Sequence, residues 1–326
     1  MIKLHRIILN WGPIDYVVKK SKTMVIPGFR GMPVYDVVVF FFRQINKVGL
    51  NERASAITFN LIMALPAAML FLFSLIPYFP PSFKVEAQIL KLFKDITPNS
   101  QTYAFIKNLI NDLLVKHVGV FSFGFLLLIF YASNAMMGII RTFDRSIQEQ
   151  KGFFMHRRWR AIRLTAILIV LIIASSLILI GQEQLAALVR SLFQLKRKTT
   201  LPYWNGVRWS IIIGLLFTGI SLIYTYAPSV KKKWPFVSPG SLLATFLTLL
   251  TTLVFSYWVD MFASSNYNKV YGSIGTVLII MLLLYINSLI LLIGFELNVS
   301  LTFLTKQKNR SEKSQSSAHQ VPSKVS

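Results

Sequence analysis

Cysteine is absent from the 326 residues, which excludes disulfide frameworks, thiolate catalysis and zinc held by cysteine. Charge is also scarce: Asp, Glu, Lys and Arg together make 14% of the chain, against about 25% in soluble domains. Acidic side chains are the scarcest, 12 against 35 basic ones, and histidine occurs four times (His5, His117, His156, His319) with no HxxxH pair. No Gly-rich phosphate loop of the GxxxxGK type is present, and nothing local marks a nucleophile. Catalysis, a resident metal and a cofactor are therefore not expected. What fills the chain instead is hydrocarbon, 54% of it strongly apolar. The first 33 residues mix Lys, Arg, Gly and Pro, unlike a cleavable leader.

Six windows free of acidic and basic side chains lie between Arg53 and Lys84, Lys116 and Arg141, Arg163 and Glu183, Arg208 and Lys231, Lys233 and Asp260, and Lys269 and Glu296. Each is near or above the roughly 20 residues that carry a helix across a bilayer. Runs such as Leu164 to Ile180 lack the alternation of a barrel strand, and lipid tolerates only helices or closed barrels. The expectation is an all-α polytopic membrane protein with spans near 56–78, 119–139, 162–181, 207–227, 239–261 and 272–303. Residues 1–53 would form a cytoplasmic or interfacial segment, 54–304 the membrane domain, and 305–326, rich in Lys, Ser and Gln, a disordered tail. Val34 to Gln44 is apolar but too short to span, which suits an interfacial helix or one packed on the bundle. Helical periodicity within 83–116 predicts two amphipathic helices on the outer surface.

On alternate loops the Lys and Arg residues divide 24 against 11, which places both termini in the cytoplasm. Arg157, Arg158 and Arg160, together with Lys231, Lys232 and Lys233, are expected to meet anionic lipid headgroups. Membrane lipid, not nucleic acid, is the expected partner; the sequence leaves the oligomeric state open.

A charge at membrane depth is costly and usually faces a bundle interior. Glu296 is the leading candidate, with Arg141 and Asp144 expected at similar depth; a Glu296–Arg141 pair would serve as an ionic gate or as a permanent clamp. Asn287 and Asn298 fall on one stripe with Gly294, suited to interhelical hydrogen bonding or to a transport path. Pro66 interrupts the first span, Pro228 ends the fourth, and Pro239 with Gly240 opens the fifth. Gly272 belongs to an expected polar turn into the sixth.

Tyr224, Tyr226, Ala227 and Pro228, then Lys231 to Lys233, Pro239, Gly240 and Ser241, then Tyr271, Gly272 and Gly275, and finally Gly294, Glu296 and Asn298, resemble the YihY / virulence factor BrkB family. Ala54 to Ala56, Ala64 to Pro66, Ala132 to Asn134 and Arg141 extend the likeness over residues 50 to 305. The resemblance implies a six-helix inner-membrane protein with a role in lipid or envelope transport or in ion exchange. Some members carry a ribonuclease BN label, for which this sequence offers no ligand cluster. The function expected is thus transport or flipping of a lipid or another amphipathic envelope solute. An exchanger using Glu296, or a scaffold that transports nothing, are the alternatives.

Overall fold

The computed structural model describes residues 12–26, 28–75, 107, 118–147, 154–180, 201–230, 233–263 and 267–319. These residues form eight helices and no strand: α1 (Gly12–Thr23), α2 (Val34–Val48), α3 (Leu50–Leu75), α4 (Val118–Ile147), α5 (Phe154–Ile180), α6 (Leu201–Tyr226), α7 (Pro239–Ala263) and α8 (Tyr267–His319). The outer segment expected at 83–116 lies outside this set apart from residue 107. Five helices contain stretches long and apolar enough to cross a membrane: Leu50–Phe71, Ser122–Ile147, Trp209–Tyr226, Pro239–Trp258 and Val277–Ser311. The third apolar window coincides with α5, whose first turns hold Arg157, Arg158, Arg160 and Arg163.

Consecutive helices from α3 to α8 touch one another, and α8 returns to α3, so the six long helices form a closed ring. α8 also contacts α2 and α4, making it the most widely shared wall of the bundle. The buried core runs through the same elements, with Ile57, Ile140, Phe143, Leu164, Tyr224, Leu292 and Phe295 almost wholly enclosed. Phe143 and Phe295 stack at 3.6 Å, Tyr224 meets both rings edge-on at 6.0 Å, and Trp234 lies 5.2 Å from Phe295. The edge-on Tyr224 pairs each add about 0.5–1.5 kcal/mol beyond burial. Tyr224 and Trp234 are thus core residues.

α2 packs one face on the bundle. Val37 and Phe41 pack with Leu297, Leu301 and Leu304 of α8, while Val38, Val39 and Phe42 remain exposed. Gly49, at φ +64°, ends α2 in a left-handed turn, and α3 begins at the next residue.

Two boundaries differ from expectation. α8 begins at Tyr267, so Gly272 lies inside a helix and not in a turn. It also continues to His319, so residues 305–319 are helical where composition suggests an unstructured tail. In both places continuing the helix satisfies each backbone N–H within the segment, at little cost for Lys, Gln and Glu, which are good helix formers. At 53 residues α8 is roughly 80 Å long, far more than one crossing requires.

Candidate functional site

The polar residues singled out by the sequence gather at one end of the ring, where α2 ends, α3 and α5 begin and α4 and α6 end. Glu296 is fully buried there. Its Oε1 accepts a hydrogen bond from Ser146 of α4 and lies 3.6 Å from Nη1 of Arg53 on α3. Its Oε2 accepts from Nε2 of Gln44 on α2 at 3.4 Å, and Arg53 in turn donates to Ser146 Oγ at 2.7 Å. One carboxylate therefore ties four helices together. The partner is Arg53 and not Arg141, which is exposed. Five positions separate Arg141 from Ser146, about 140° around the helix, so when Ser146 faces α8 Arg141 faces away.

Asp144 is two positions from Ser146, roughly 200° around α4, and joins a different set. Its Oδ2 lies 3.4 Å from Arg160 and 3.8 Å from Arg157 of α5, and its Oδ1 accepts from the Ser229 backbone N–H at 2.9 Å. Arg160 also donates to the Ala227 carbonyl at 2.8 Å, beside Pro228 where α6 has just ended. Arg158 donates to Asn134 Oδ1 on α4 and covers the Phe130 ring at 5.9 Å. The three arginines expected to contact lipid thus turn toward α4, because a carboxylate and an amide there accept their hydrogen bonds. Lys233 remains exposed, 4.5 Å over the Tyr226 ring; Lys231 and Lys232 lie outside the described residues.

The third set closes α6, α7 and α8. Pro239 is the first residue of α7 and has no N–H to satisfy. The Gly240 N–H donates to Asn298 Oδ1 at 2.9 Å, and the Ser241 N–H to Ser238 Oγ at 3.2 Å, while Ser241 Oγ accepts from the Ser238 N–H at 3.0 Å. This is a capping box with serine in place of the usual acid or amide at its third position, completed by a side chain from another helix. Asn298 Nδ2 also donates to Ser238 Oγ at 2.9 Å. Gly240 and Gly294 let the two backbones touch: a Cβ on Gly240 would overlap the Gly294 carbonyl, and one on Gly294 would lie 2.8 Å from the Ala244 methyl. Beside them Tyr224 donates to the Leu291 carbonyl at 2.7 Å. Asn287, by contrast, bonds only back to Leu283 on its own helix. Asn298→Ala removes the acceptor of a buried N–H, a loss of about 1–3 kcal/mol. The melting temperature of the purified protein should fall by about 5 °C, read by intrinsic fluorescence in detergent.

Away from these joints, an apolar crevice of about 280 Å³ runs between α3, α4 and α5, with Leu284 of α8 also lining it. Ala64, Leu65 and Ala68, flanking Pro66, supply one wall, and Ala132 and Met136 the opposite one. Pro66 has no N–H for the Ile62 carbonyl, a local break in α3 beside the crevice. Among the described residues lining it Thr165 is the single polar one, and no described residue hydrogen-bonds its hydroxyl. Ile172, 54% exposed, stands at the mouth. Among the described residues no three His, Asp or Glu side chains gather as a metal site.

A ring of long apolar helices, pinned at one end by buried polar joints and exposing large hydrophobic side chains around its outside, defines an integral, multi-pass membrane protein. The profile of the family described as virulence factor BrkB matches residues 41–319, and the chain belongs to that family. It is 25% identical to the Bacillus subtilis protein YfkH, whose name calls it ribonuclease-like, over 77% of this chain and 90% of that one. Two membrane proteins of the UPF0761 group are similarly related. That of Mannheimia succiniciproducens is 25% identical over 81% of this chain and 88% of its own, and that of Haemophilus influenzae 23% identical over 82% and 96%. No solved structure matches significantly.

Of the residues that carry the resemblance, Tyr224, Gly240, Ser241, Gly294, Glu296 and Asn298 belong to these joints. Arg53, Ser146, Gln44 and Ser238 complete them and were not singled out as site residues by the sequence. Arg53 bounds the first charge-free window, and that position is the one signal that pointed to it; Ser146, a neutral residue beyond Arg141, carried none.

Proposed function

We propose that the protein spans a bacterial inner membrane six times, α5 included, with both ends in the cytoplasm. We propose further that it moves a lipid or a similarly amphipathic envelope solute. The crevice carries this reading. A cavity lined almost wholly by hydrocarbon stays dry, and inside a bilayer the available filling is an acyl chain. Small residues hold the crevice open, Ile172 marks its side entrance, and the proline in α3 gives that wall a place to bend. The basic end of the bundle, with Arg53, Arg145, Arg160, Lys233 and Lys306, then lies on the inner side. Within this reading Glu296, its oxygens already engaged by three side chains, serves as a clamp and not as the titrating group of an exchanger.

The test is scrambling of a fluorescent phospholipid in proteoliposomes, followed by quenching of outer-leaflet label. Wild-type protein should accelerate exchange over empty vesicles, and Ala132→Phe or Ala68→Phe, filling the crevice, should slow it about tenfold at unchanged folded yield. Exchange no faster than in empty vesicles, or indifference to both fillings, overturns the proposal.

A further inference from the structure

We propose that α2 is embedded in one leaflet of the bilayer, where its outer face docks anionic phospholipid. The helix has three faces. At about 100° per residue, Val37, Phe41, Ile45 and Val48 form a stripe that packs on the bundle. Val38, Val39 and Phe42, which are 41%, 39% and 59% exposed, form a second apolar stripe centred roughly 110° away. Exposed Asn46 closes this stripe toward Gly49, and exposed Asp36 and Arg43 occupy the remaining third of the circumference. Rotation about the axis is fixed, because Gln44 donates to Glu296 while Val37 and Phe41 are held by Leu297, Leu301 and Leu304. The second stripe is therefore turned away from the protein. A helix lying between a bundle and water needs one apolar stripe, and α2 carries two.

Depth identifies what lies against it. The residues of α8 that hold α2 run from Glu296 to Leu304, inside the apolar stretch Val277–Ser311 and short of Lys306, the first cation beyond them. They cover roughly 12 Å of the helix axis. Phe40 of α2 also meets Phe303, with ring centroids 6.4 Å apart. At the other end, Gly49 alone separates α2 from Leu50, where the apolar stretch of α3 begins. α2 is thus level with the ends of two spans, and an exposed apolar face at that level meets acyl chains and the inner edge of the headgroups. The charges nearby select the lipid. Residues 12–49 carry six Lys or Arg side chains against two Asp. α1 touches α2, and the Val34 N–H donates to the Met24 carbonyl at 3.0 Å, which brings the basic end of α1 to the start of α2. There Lys22 lies 5.0 Å over the Tyr35 ring and Lys20 5.7 Å over the Tyr16 ring, and exposed Met24 and Val25 link the two helices. Ammonium groups above aromatic rings, next to exposed apolar side chains, suit an anionic headgroup with its acyl chains below.

Because the chain has no cysteine, single thiols can be introduced into the full-length protein and labelled with a fluorophore. Val39→Cys and Phe42→Cys report on the second stripe and Asp36→Cys on the polar face, with folded yield checked on a sizing column. The labelled proteins are placed in vesicles of phosphatidylglycerol and phosphatidylcholine. Lipids carrying a nitroxide near the headgroup end of the acyl chain should quench the labels at 39 and 42 about threefold more than the label at 36, and aqueous iodide should show the reverse order. Nitroxide-bearing phosphatidylglycerol should quench the label at 42 about twice as strongly as nitroxide-bearing phosphatidylcholine, and Lys20→Gln, Lys22→Gln and Arg43→Gln combined should make the two lipids equal. Iodide quenching at 39 and 42 as strong as at 36 would place the stripe in water. Shielding from both quenchers would place it against protein, either a second copy or another segment of this chain. Either result overturns the proposal, and equal quenching by the two lipids before the three cations are changed overturns the choice of an anionic partner. Where labelling at 42 lowers the folded yield, Val38→Cys reads the same stripe and decides.

Discussion

Gly240→Ala should leave at least tenfold less monodisperse protein than wild type when a fluorescent fusion is passed over a sizing column. The added methyl would overlap the Gly294 carbonyl and sit 2.7 Å from the Asn298 amide. Neither obstacle is the loose end of a flexible chain: one is helix backbone and the other a side chain fixed by hydrogen bonds to Gly240 and Ser238. Relief requires α7 to back away from α8, which also breaks the cap supplied by Asn298. Overpacking of about 1–3 kcal/mol together with a lost cap of about 1 kcal/mol consumes much of a marginal stability. Gly206→Ala and Gly214→Ala are the controls. A Cβ at either meets nothing within 4 Å, and alanine there should hold or raise stability by up to about 1 kcal/mol. Equal yields for Gly240→Ala and the controls would show that the two helices do not meet through these glycines.

Glu296→Ala should be nearly as damaging. It removes one member of a buried ion pair and leaves Arg53, Ser146 and Gln44 facing an empty space, a loss of about 3–5 kcal/mol where a buried charge is left uncompensated. Glu296→Gln keeps an acceptor and a similar shape and should lose less. If Arg53 and Glu296 act as a pair, combining Glu296→Gln with Arg53→Met should be milder than the sum of the two single changes. Thermal denaturation of the purified variants measures all four. A melting temperature within about 2 °C of wild type for Glu296→Ala would mean that the carboxylate holds nothing together.

Hydrophobic length made the helices legible, since bilayer thickness sets a minimum that six windows met. Pro239 and Gly240, for example, mark the first residues of α7, as both the lack of a proline N–H and the cap chemistry require. Legibility stopped where angular register decides the outcome. Arg141 and Arg53 both sit at the edge of an apolar window, and sequence depth alone favours neither as the partner of Glu296. Only the rotation of α4 about its axis, set by the packing of Phe143, Ser146 and Ile140 against its neighbours, turns Arg141 outward. The same holds for Arg157, Arg158 and Arg160: their density suggests a headgroup patch, but Asp144 and Asn134, one helix away, take up their donors.

The helix that touches α2, α3, α4 and α7 leaves the ribosome after all four of them. Until it is synthesised, the carboxylate for Arg53 and Ser146 does not exist, and neither does the amide that caps α7 nor the wall that joins α7 back to α3. Earlier helices can enter the bilayer one by one, but they can form only an open arc with unsatisfied polar groups along its inner edge. A nascent chain halted before residue 290 therefore presents those groups to quality-control proteases, and the assembly becomes resistant to them only once the stretch with Glu296 and Asn298 has been made.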